Sequence, residues 1–251
     1  MSGPGQTFGQ VAHAYERFRF GYPEAVADRV LGYADGPIRT AVEIGAGTGK
    51  ATRLFARRDI AVTATDPDPD MLTVLARVCR GLPVATVVSA FEILPPRPPV
   101  DLLYAAAALH WTLDEGRWER AATLLRPGGT FASFAAPLVL ADPELEVRVE
   151  TAVGRIIQAA HQTRRDPDPD GLAWPGTELR TAPQFADVAE VRLPQRIALS
   201  AKAYVDNLST TSGFLALDRE RRAAGLDELR HLLPSTVEVV NDVVLHLARR
   251  R

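Results

Sequence analysis

A chain of 251 residues, 46 % apolar and 24 % charged, has ordinary globular composition and enough length to bury a sizeable core. A net charge of −2 excludes a global basic field that would draw it to nucleic acid or anionic lipid. The single cysteine, Cys79, excludes an internal disulfide and any multi-cysteine metal site.

The first half alternates short apolar runs with helical patterns. Phe8, Val11, Ala12, Tyr15 and Phe18 recur at three- and four-residue spacing, which predicts a helix from Gly9 to Phe20. Strands are predicted at Ala41 to Ile44, Ile60 to Thr65, Val84 to Val88, Val100 to Ala106 and Thr130 to Ala135. Helices fall between them at Thr48 to Arg58, Pro69 to Arg80 and Glu115 to Leu125, and Arg126 to Gly129 reads as a turn. Such alternation calls for parallel pairing with right-handed crossovers, a doubly wound α/β sheet. The second half opens with a long helical pattern, Glu144 to Gln162, and an Asp/Pro-rich loop, Arg164 to Gly176, that carries Trp174. Val188 to Leu199 reads as one strand bent at Pro194, and Thr236 to Leu247 as a last strand. Helices at Ala201 to Leu208 and Asp218 to Leu232 lie between them. The tail is expected to complete the same sheet and to add a helical cap. No apolar run reaches membrane-spanning length, and Met1 to Gln10 lacks the basic start and apolar stretch of a secretory signal, so a cytoplasmic location is expected.

The strongest local signal is Glu43-Ile44-Gly45-Ala46-Gly47-Thr48-Gly49, a strand running into a G-x-G-x-G loop that opens a helix. Glycines reach backbone angles closed to other residues and let a ligand approach the main chain. The third glycine comes one residue earlier than in the G-x-G-x-x-G dinucleotide pattern. Glu43 precedes the loop by two residues, where an anion sits badly beside a pyrophosphate and well beside the cationic methionine portion of S-adenosylmethionine. The second strand ends in Asp66, at about the spacing expected of an acid that takes ribose hydroxyls.

On these residues the chain resembles the class I S-adenosylmethionine-dependent methyltransferases, in the type 11 small-molecule branch that includes trans-aconitate methyltransferase. The resemblance implies a mostly parallel seven-stranded Rossmann-like sheet with a helical N-terminal lid and a C-terminal cap. It implies an organisation of a lid over residues 1–35 and a methyltransferase domain over 36–251, with the cap inserted at about 141–232. It assigns the donor's methionine and ribose to Glu43, Gly45, Ala46, Gly47, Asp66 and Pro67, with Ala106 closing the site at the end of strand four. The adenine side falls on Ser89-Ala90-Phe91, where Ser89 stands in place of the usual Asp or Gly. The family's leading aromatic helix falls on Phe8, Tyr15, Arg19 and Gly21-Tyr22-Pro23, with Phe20 in place of a proline. Tyr15 becomes a candidate for a cation–π contact with the sulfonium or a hydrogen bond to the donor carboxylate, and Arg19 for a bidentate pair with that carboxylate.

Ala106 to Trp111 places His110 and Trp111 after strand four, facing the acceptor. His110 is a candidate general base, against the plainer reading of a histidine packed on Trp111. Tyr204 and Thr211 are candidate acceptor contacts, with Ser209 or Thr210 as competing helix caps. No metal is expected, because His13, His110, His161, His231 and His246 are scattered. The expected cofactor is S-adenosyl-L-methionine, leaving as S-adenosyl-L-homocysteine. The expected partner is a small-molecule acceptor, with a homodimer as the form of assembly and no nucleic acid or membrane. The competing functions are a donor-binding protein without transfer activity, a nicotinamide-dependent oxidoreductase, and a methyltransferase of nucleic acid or protein. The last would carry a basic stripe or an Asn/Asp-Pro-Pro-Tyr-type run after strand four, and Ala106 to Trp111 is neither.

Overall fold

Side chains alternate across a strand, so the central strands of the large sheet feed two cores. The computed structural model describes residues 11–158 and 172–251. Its elements, in chain order, begin with α1 (Ala12–Phe18), α2 (Glu24–Tyr33), β1 (Thr40–Ile44), α3 (Thr52–Ala56), β2 (Ala61–Asp66), α4 (Pro69–Val78), β3 (Val84–Val88), β4 (Val100–Ala106), α5 (Arg117–Leu124) and β5 (Leu125–Ala135). They continue with β6 (Val139–Leu140), α6 (Pro143–Ile157), α7 (Gly176–Thr181), β7 (Phe185–Leu193), β8 (Arg196–Ser200), α8 (Ala201–Leu208), α9 (Ser212–Leu215), α10 (Arg219–Leu232), β9 (Thr236–Val240) and β10 (Val243–Arg250).

Two compact units are present. The first holds described residues 21–136, 172–193 and 243–251. It is built on a seven-stranded sheet in the order β3-β2-β1-β4-β5-β10-β7. The first five are parallel, and β10 runs antiparallel to both β5 and β7. Ala41, Leu102, Tyr104 and Phe134 face Val26 and Val30 of α2 and Leu54 and Phe55 of α3. Their neighbours Val42, Ile44, Leu103, Ala105 and Phe131 face Ala121, Ala122 and Leu124 of α5 and Leu179 of α7. Strand order reverses between β1 and β4, and open α/β sheets bind ligands at the carboxyl ends of the strands at such a point.

The second unit holds described residues 11–20, 137–158 and 194–242. It packs α1, α6, α8, α9 and α10 with a separate sheet, β6-β9-β8. Its core includes Leu145 and Val149 of α6, Val205 of α8, Phe214 of α9, Leu229 of α10 and Val239 of β9. The first helix therefore groups with this unit, whereas α2 groups with the large sheet.

Several sequence expectations change here. Val188 to Leu199 is not one bent strand: it is β7 and β8, which lie in different sheets. Pro194 lacks the N–H that would continue the first ladder. Thr236 to Leu247 divides likewise into β9 and β10. The two breaks are joined: Gln195 N–H donates to Asp242 Oδ1 at 2.9 Å, and Asn241 N–H to the Gln195 carbonyl at 2.8 Å. The cap is thus not purely helical. The expected turn at Arg126 to Gly129 lies inside β5, where pairing jumps from Val100–Leu125 to Leu102–Thr130. The helix expected from Thr48 begins only at Thr52, because the left-handed glycines run on to Gly49. In the cap, α6 is seen to Ile157; residues 159–171 of the expected helix and Asp/Pro loop, and Phe8 and Gly9 of the first helix, lie outside the described residues.

Gly225 shows how tightly α10 meets α6. A Cβ there would lie 2.5 Å from Ile156 Cγ2, on a β-branched side chain with little freedom to move. Gly225→Ala gains up to about 1 kcal/mol of helix propensity, but overpacking costs about 1–3 kcal/mol. The variant is expected to melt a few degrees lower, and Ile156→Ala is expected to restore most of the loss in the double variant. Thermal unfolding of the four proteins checks this, and an additive double variant would refute the contact.

Candidate functional site at the carboxyl edge of the sheet

The register sets the ends of four strands side by side. Ile44 pairs with Thr65 and with Ala105, and Asp66 pairs with Val88. Ser89, Asp66, Gly45 and Ala106 therefore emerge in order across β3, β2, β1 and β4. At about 4.8 Å per strand, that edge is about 14 Å long.

The glycine loop is held to this edge by its main chain. Ala46 N–H donates to the Thr65 carbonyl at 2.8 Å, and Gly49 N–H to the Ala46 carbonyl at 3.0 Å. Gly47 N–H donates to Asp66 Oδ2 at 2.8 Å. Gly45 and Gly47 have φ of 62° and 54°, where a side chain is strained. Their surroundings differ. A Cβ on Gly45 would lie 2.5 Å from Ala108 Cβ, so this glycine permits close packing of the loop on the segment after β4. A Cβ on Gly47 would meet nothing within 4 Å, so that position borders open space. Ala46 turns its side chain into the core with Leu72 and Leu75, and can offer a ligand only its backbone.

Asp66 is 7 % exposed and accepts two backbone N–H groups, from Gly47 and, at 2.9 Å, from Asp68. Burial pushes its carboxyl up to about 6 despite both bonds. Glu43 is more deeply enclosed, at 1 % exposure. Its Oε2 accepts the hydroxyls of Thr52 at 2.5 Å and Tyr104 at 2.9 Å. Burial pushes this carboxyl up to about 8, and the nearby Asp66 charge adds to the rise against the two hydrogen bonds. Thr52 and Tyr104 were not singled out from sequence; the only signal was a hydroxyl-bearing residue in each of two apolar runs.

On the β3 side, Ser89 is tied to β2 by its N–H, which donates to the Asp66 carbonyl at 3.0 Å, while its hydroxyl donates to the Ala90 carbonyl at 2.9 Å. Phe91 is buried, with its ring under the turn rather than in the open edge. Pro67, Ala90 and Ala106 are half-buried. After β4, Ala107 is held at φ 51° with its N–H on the Phe134 carbonyl at 2.8 Å. Non-glycine residues seldom adopt that conformation, and it is enriched at functional sites. His110 and Trp111 follow in a single 3₁₀ turn, with ring centroids 4.8 Å apart. Burial lowers the His110 pKa, which keeps the imidazole neutral near pH 7.

The other four candidates belong to the cap unit. Arg19 Nε donates to Thr210 Oγ1 at 2.8 Å, and its guanidinium lies 5.4 Å from the Tyr15 ring. Tyr204 is a core residue there, and burial pushes its hydroxyl pKa well up. Thr211 Oγ1 donates to the Leu208 carbonyl at 2.8 Å. Ser209 is the C-cap of α8, and the hydroxyls of Ser209 and Thr210 donate to the carbonyls of Asp206 and Asn207 in the last turn of that helix. Among the described residues no group of three or more His, Cys, Asp or Glu could hold a metal ion, and no helix is long and apolar enough to cross a membrane.

The two raised carboxyls bear on stability. Each binds a proton more tightly in the folded chain than in the unfolded one, between its ordinary value and about 6 for Asp66 or about 8 for Glu43. The folded state therefore loses stability as pH rises through that window. The ligand-free protein is expected to melt progressively lower from pH 5 to pH 8.5. Glu43→Gln is expected to flatten that slope, matching the parent at pH 5 and melting several degrees higher at pH 8.5. Scanning calorimetry at both pH values checks this; parallel slopes would show that Glu43 is ionised throughout.

Residues 41–129 match the methyltransferase-domain family. An uncharacterised methyltransferase of Mycobacterium bovis is 30 % identical over 237 residues, covering 94 % of this chain and 88 % of that protein. A shorter stretch of 95 residues is 38 % identical to trans-aconitate 2-methyltransferase of Methylobacterium nodulans, covering 36 % of each chain. Among solved structures, a candidate type II methyltransferase from Anaeromyxobacter dehalogenans matches with a TM-score of 0.63 at 25 % identity, covering 92 % of this chain and 98 % of that one. These relatives set aside the nicotinamide reading and agree with the fold. The chain belongs to the class I S-adenosylmethionine-dependent methyltransferases.

Proposed function

We propose that the enzyme methylates a small-molecule acceptor at the carboxyl ends of β1 and β4. The observation that carries the reading is the pairing of Asp66 with Gly47. A nearly buried carboxylate is fixed by two backbone N–H groups, beside a position where a side chain is missing and space is open. A carboxylate offers about four acceptor sites, so two remain for the hydroxyls of a ribose. The edge from Ser89 to Ala106 suits a nucleoside with an amino-acid tail. S-adenosylmethionine, when bound, supplies a methyl group already activated on its sulfonium.

The chain's own residues then have separable tasks. Asp66 orients the ribose, with Pro67 beside it. Ser89 and Ala90 frame the base with backbone groups, and Phe91 supports that turn from below. Glu43 keeps its proton near pH 7 in the unliganded protein and ionises when a cationic donor lies beside it, with Thr52 and Tyr104 holding the carboxylate behind the loop. Gly47 lets the donor approach the main chain, and Gly45 lets the loop close on the segment that follows Ala106. His110, neutral near pH 7, can accept the proton that an acceptor hydroxyl or amine loses. Trp111 offers an apolar surface next to it. Holding the two reactants in line is worth on the order of 7–11 kcal/mol, so a donor of this kind needs little beyond positioning and a dry cleft. The weak net charge favours a small acceptor over nucleic acid.

Asp66→Ala is expected to weaken S-adenosylhomocysteine binding at least tenfold in titration calorimetry, with an unchanged circular dichroism spectrum. An unchanged dissociation constant would move the ribose contact elsewhere. Acceptors are sought by incubating the enzyme with methyl-labelled donor and a panel of hydroxyl, amine and carboxylate metabolites. Labelled product together with S-adenosylhomocysteine supports the reading. Firm donor binding without turnover on any acceptor would point to a donor-binding protein.

A further inference from the structure

The segment from Leu109 to Asp114 carries His110 and Trp111; Leu109 anchors its start in the core, but the residues after it have little apolar packing. Trp111 is 45 % exposed and Leu113 is 65 % exposed. What grips the segment is a buried charge. Arg117 is the first residue of α5, and its side chain is 1 % exposed. Its Nε donates to Thr112 Oγ1 at 2.8 Å and its Nη2 to the Thr112 carbonyl at 2.9 Å. Nη2 also pairs with Asp114, and Nη1 pairs with Glu178 Oε2 on α7 at 3.1 Å. The guanidinium lies 5.9 Å and 5.5 Å from the ring centroids of Trp118 and Trp174.

Helix stability does not ask for this residue. A cation at a helix N-terminus opposes the helix dipole, and burying a guanidinium carries a large desolvation cost. The compensation comes from the planar fork, which meets Thr112 at two atoms and Asp114 at a third. On its other side the segment is tied to the turn after β3: Leu113 N–H donates to Glu92 Oε1 at 2.7 Å. That turn is itself held from α5 by Arg120, which donates to the carbonyls of Phe91 and Leu94.

We infer that Arg117 is a positioning residue that fixes the acceptor-facing segment Leu109 to Asp114, and that Glu92 links this segment to the donor-facing turn Ser89 to Phe91. The inference rests on reading this edge as the methyl-transfer site. Arg117 touches no substrate; it acts through Thr112 and Asp114 on His110 and Trp111. The Glu92 link makes a ligand at the donor-facing turn felt at the acceptor-facing segment before any acceptor arrives. Lysine is a point charge without a fork, so it retains the charge and loses the two-atom grip on Thr112.

Hydrogen exchange on the full-length protein, with and without S-adenosylhomocysteine, tests both halves. In Arg117→Lys the amides of Thr112 to Asp114 are expected to exchange at least tenfold faster, with β4 and β5 unchanged. The His110 imidazole, followed by NMR, is expected to titrate nearer its ordinary value. Thr112→Val removes the acceptor of Arg117 Nε and the hydroxyl's own bond to the Leu109 carbonyl, while the guanidinium keeps the Thr112 carbonyl, Asp114 and Glu178; it is expected to show the same changes at smaller size, which covers a poorly folding Arg117→Lys. In the parent protein S-adenosylhomocysteine is expected to slow exchange at Leu109 to Asp114. In Glu92→Ala that slowing is expected to vanish while the nucleoside still binds. Unchanged exchange and His110 titration in both Arg117→Lys and Thr112→Val would overturn the positioning role. Persistent slowing in Glu92→Ala would overturn the link. If the parent protein bound no S-adenosylhomocysteine at all, the methyl-transfer reading would fail, while the exchange rates of the ligand-free variants would still decide the role of Arg117.

Discussion

The Asp66 carboxylate is the hinge on which the ligand-facing edge depends. One oxygen takes the N–H of Gly47 and the other takes the N–H of Asp68. Two crossover connections, β1 to α3 and β2 to α4, are thereby fixed to one side chain at the end of β2. Parallel strands cannot be joined by tight turns, so their loops would otherwise be set only by distant helix packing. A carboxylate bonded in this way orients both loops before any ligand arrives. A site whose geometry is set in advance loses less entropy on binding.

Electrostatic strain accompanies that order. Glu43 lies near the end of β1 and Asp66 at the end of β2, both nearly buried and both with raised pKa values. Burial costs the charged forms most, and a neighbouring carboxylate adds to it, Asp66 at Glu43 and Asp68 at Asp66. Thr52 and Tyr104 offset part of the cost at Glu43, and backbone N–H groups offset part at Asp66. In the unliganded protein Glu43 answers that cost by keeping its proton, and a cationic ligand at this edge favours the charged form instead. The left-handed Ala107 across the same edge is a second local cost tolerated there.

The arginines of α5 show a different division of labour. Arg117 and Arg120 leave from one helix and grip two different turns by carbonyl and hydroxyl acceptors. Turns after parallel strands are rich in unsatisfied backbone carbonyls, and a guanidinium is the side chain that can satisfy several at once. The helix face toward the sheet is apolar, with Ala121, Ala122 and Leu124. One helix thus serves as core packing along its length and as a clamp at the ends of β3 and β4.

The sequence by itself determined the local chemistry: five parallel strands read from apolar runs, the glycine loop from its spacing, and Asp66 from its place at the end of β2. Those features depend on neighbours along the chain, so periodicity and turn chemistry suffice to read them. Tertiary structure alone decided which apolar runs were single strands. Pro194-Gln195 and Asn241-Asp242 break two of them, and the reason is a pair of hydrogen bonds between residues almost fifty positions apart. It also decided that Tyr204 is a core residue and that Ala46 presents only backbone. The partners of Glu43 and the grip of Arg117 were not legible for the same reason. Thr52, Tyr104, Thr112 and Glu178 look like ordinary polar residues until folding removes the water around them. In that setting a hydroxyl or a carboxylate becomes the one available partner for a charge that cannot remain alone.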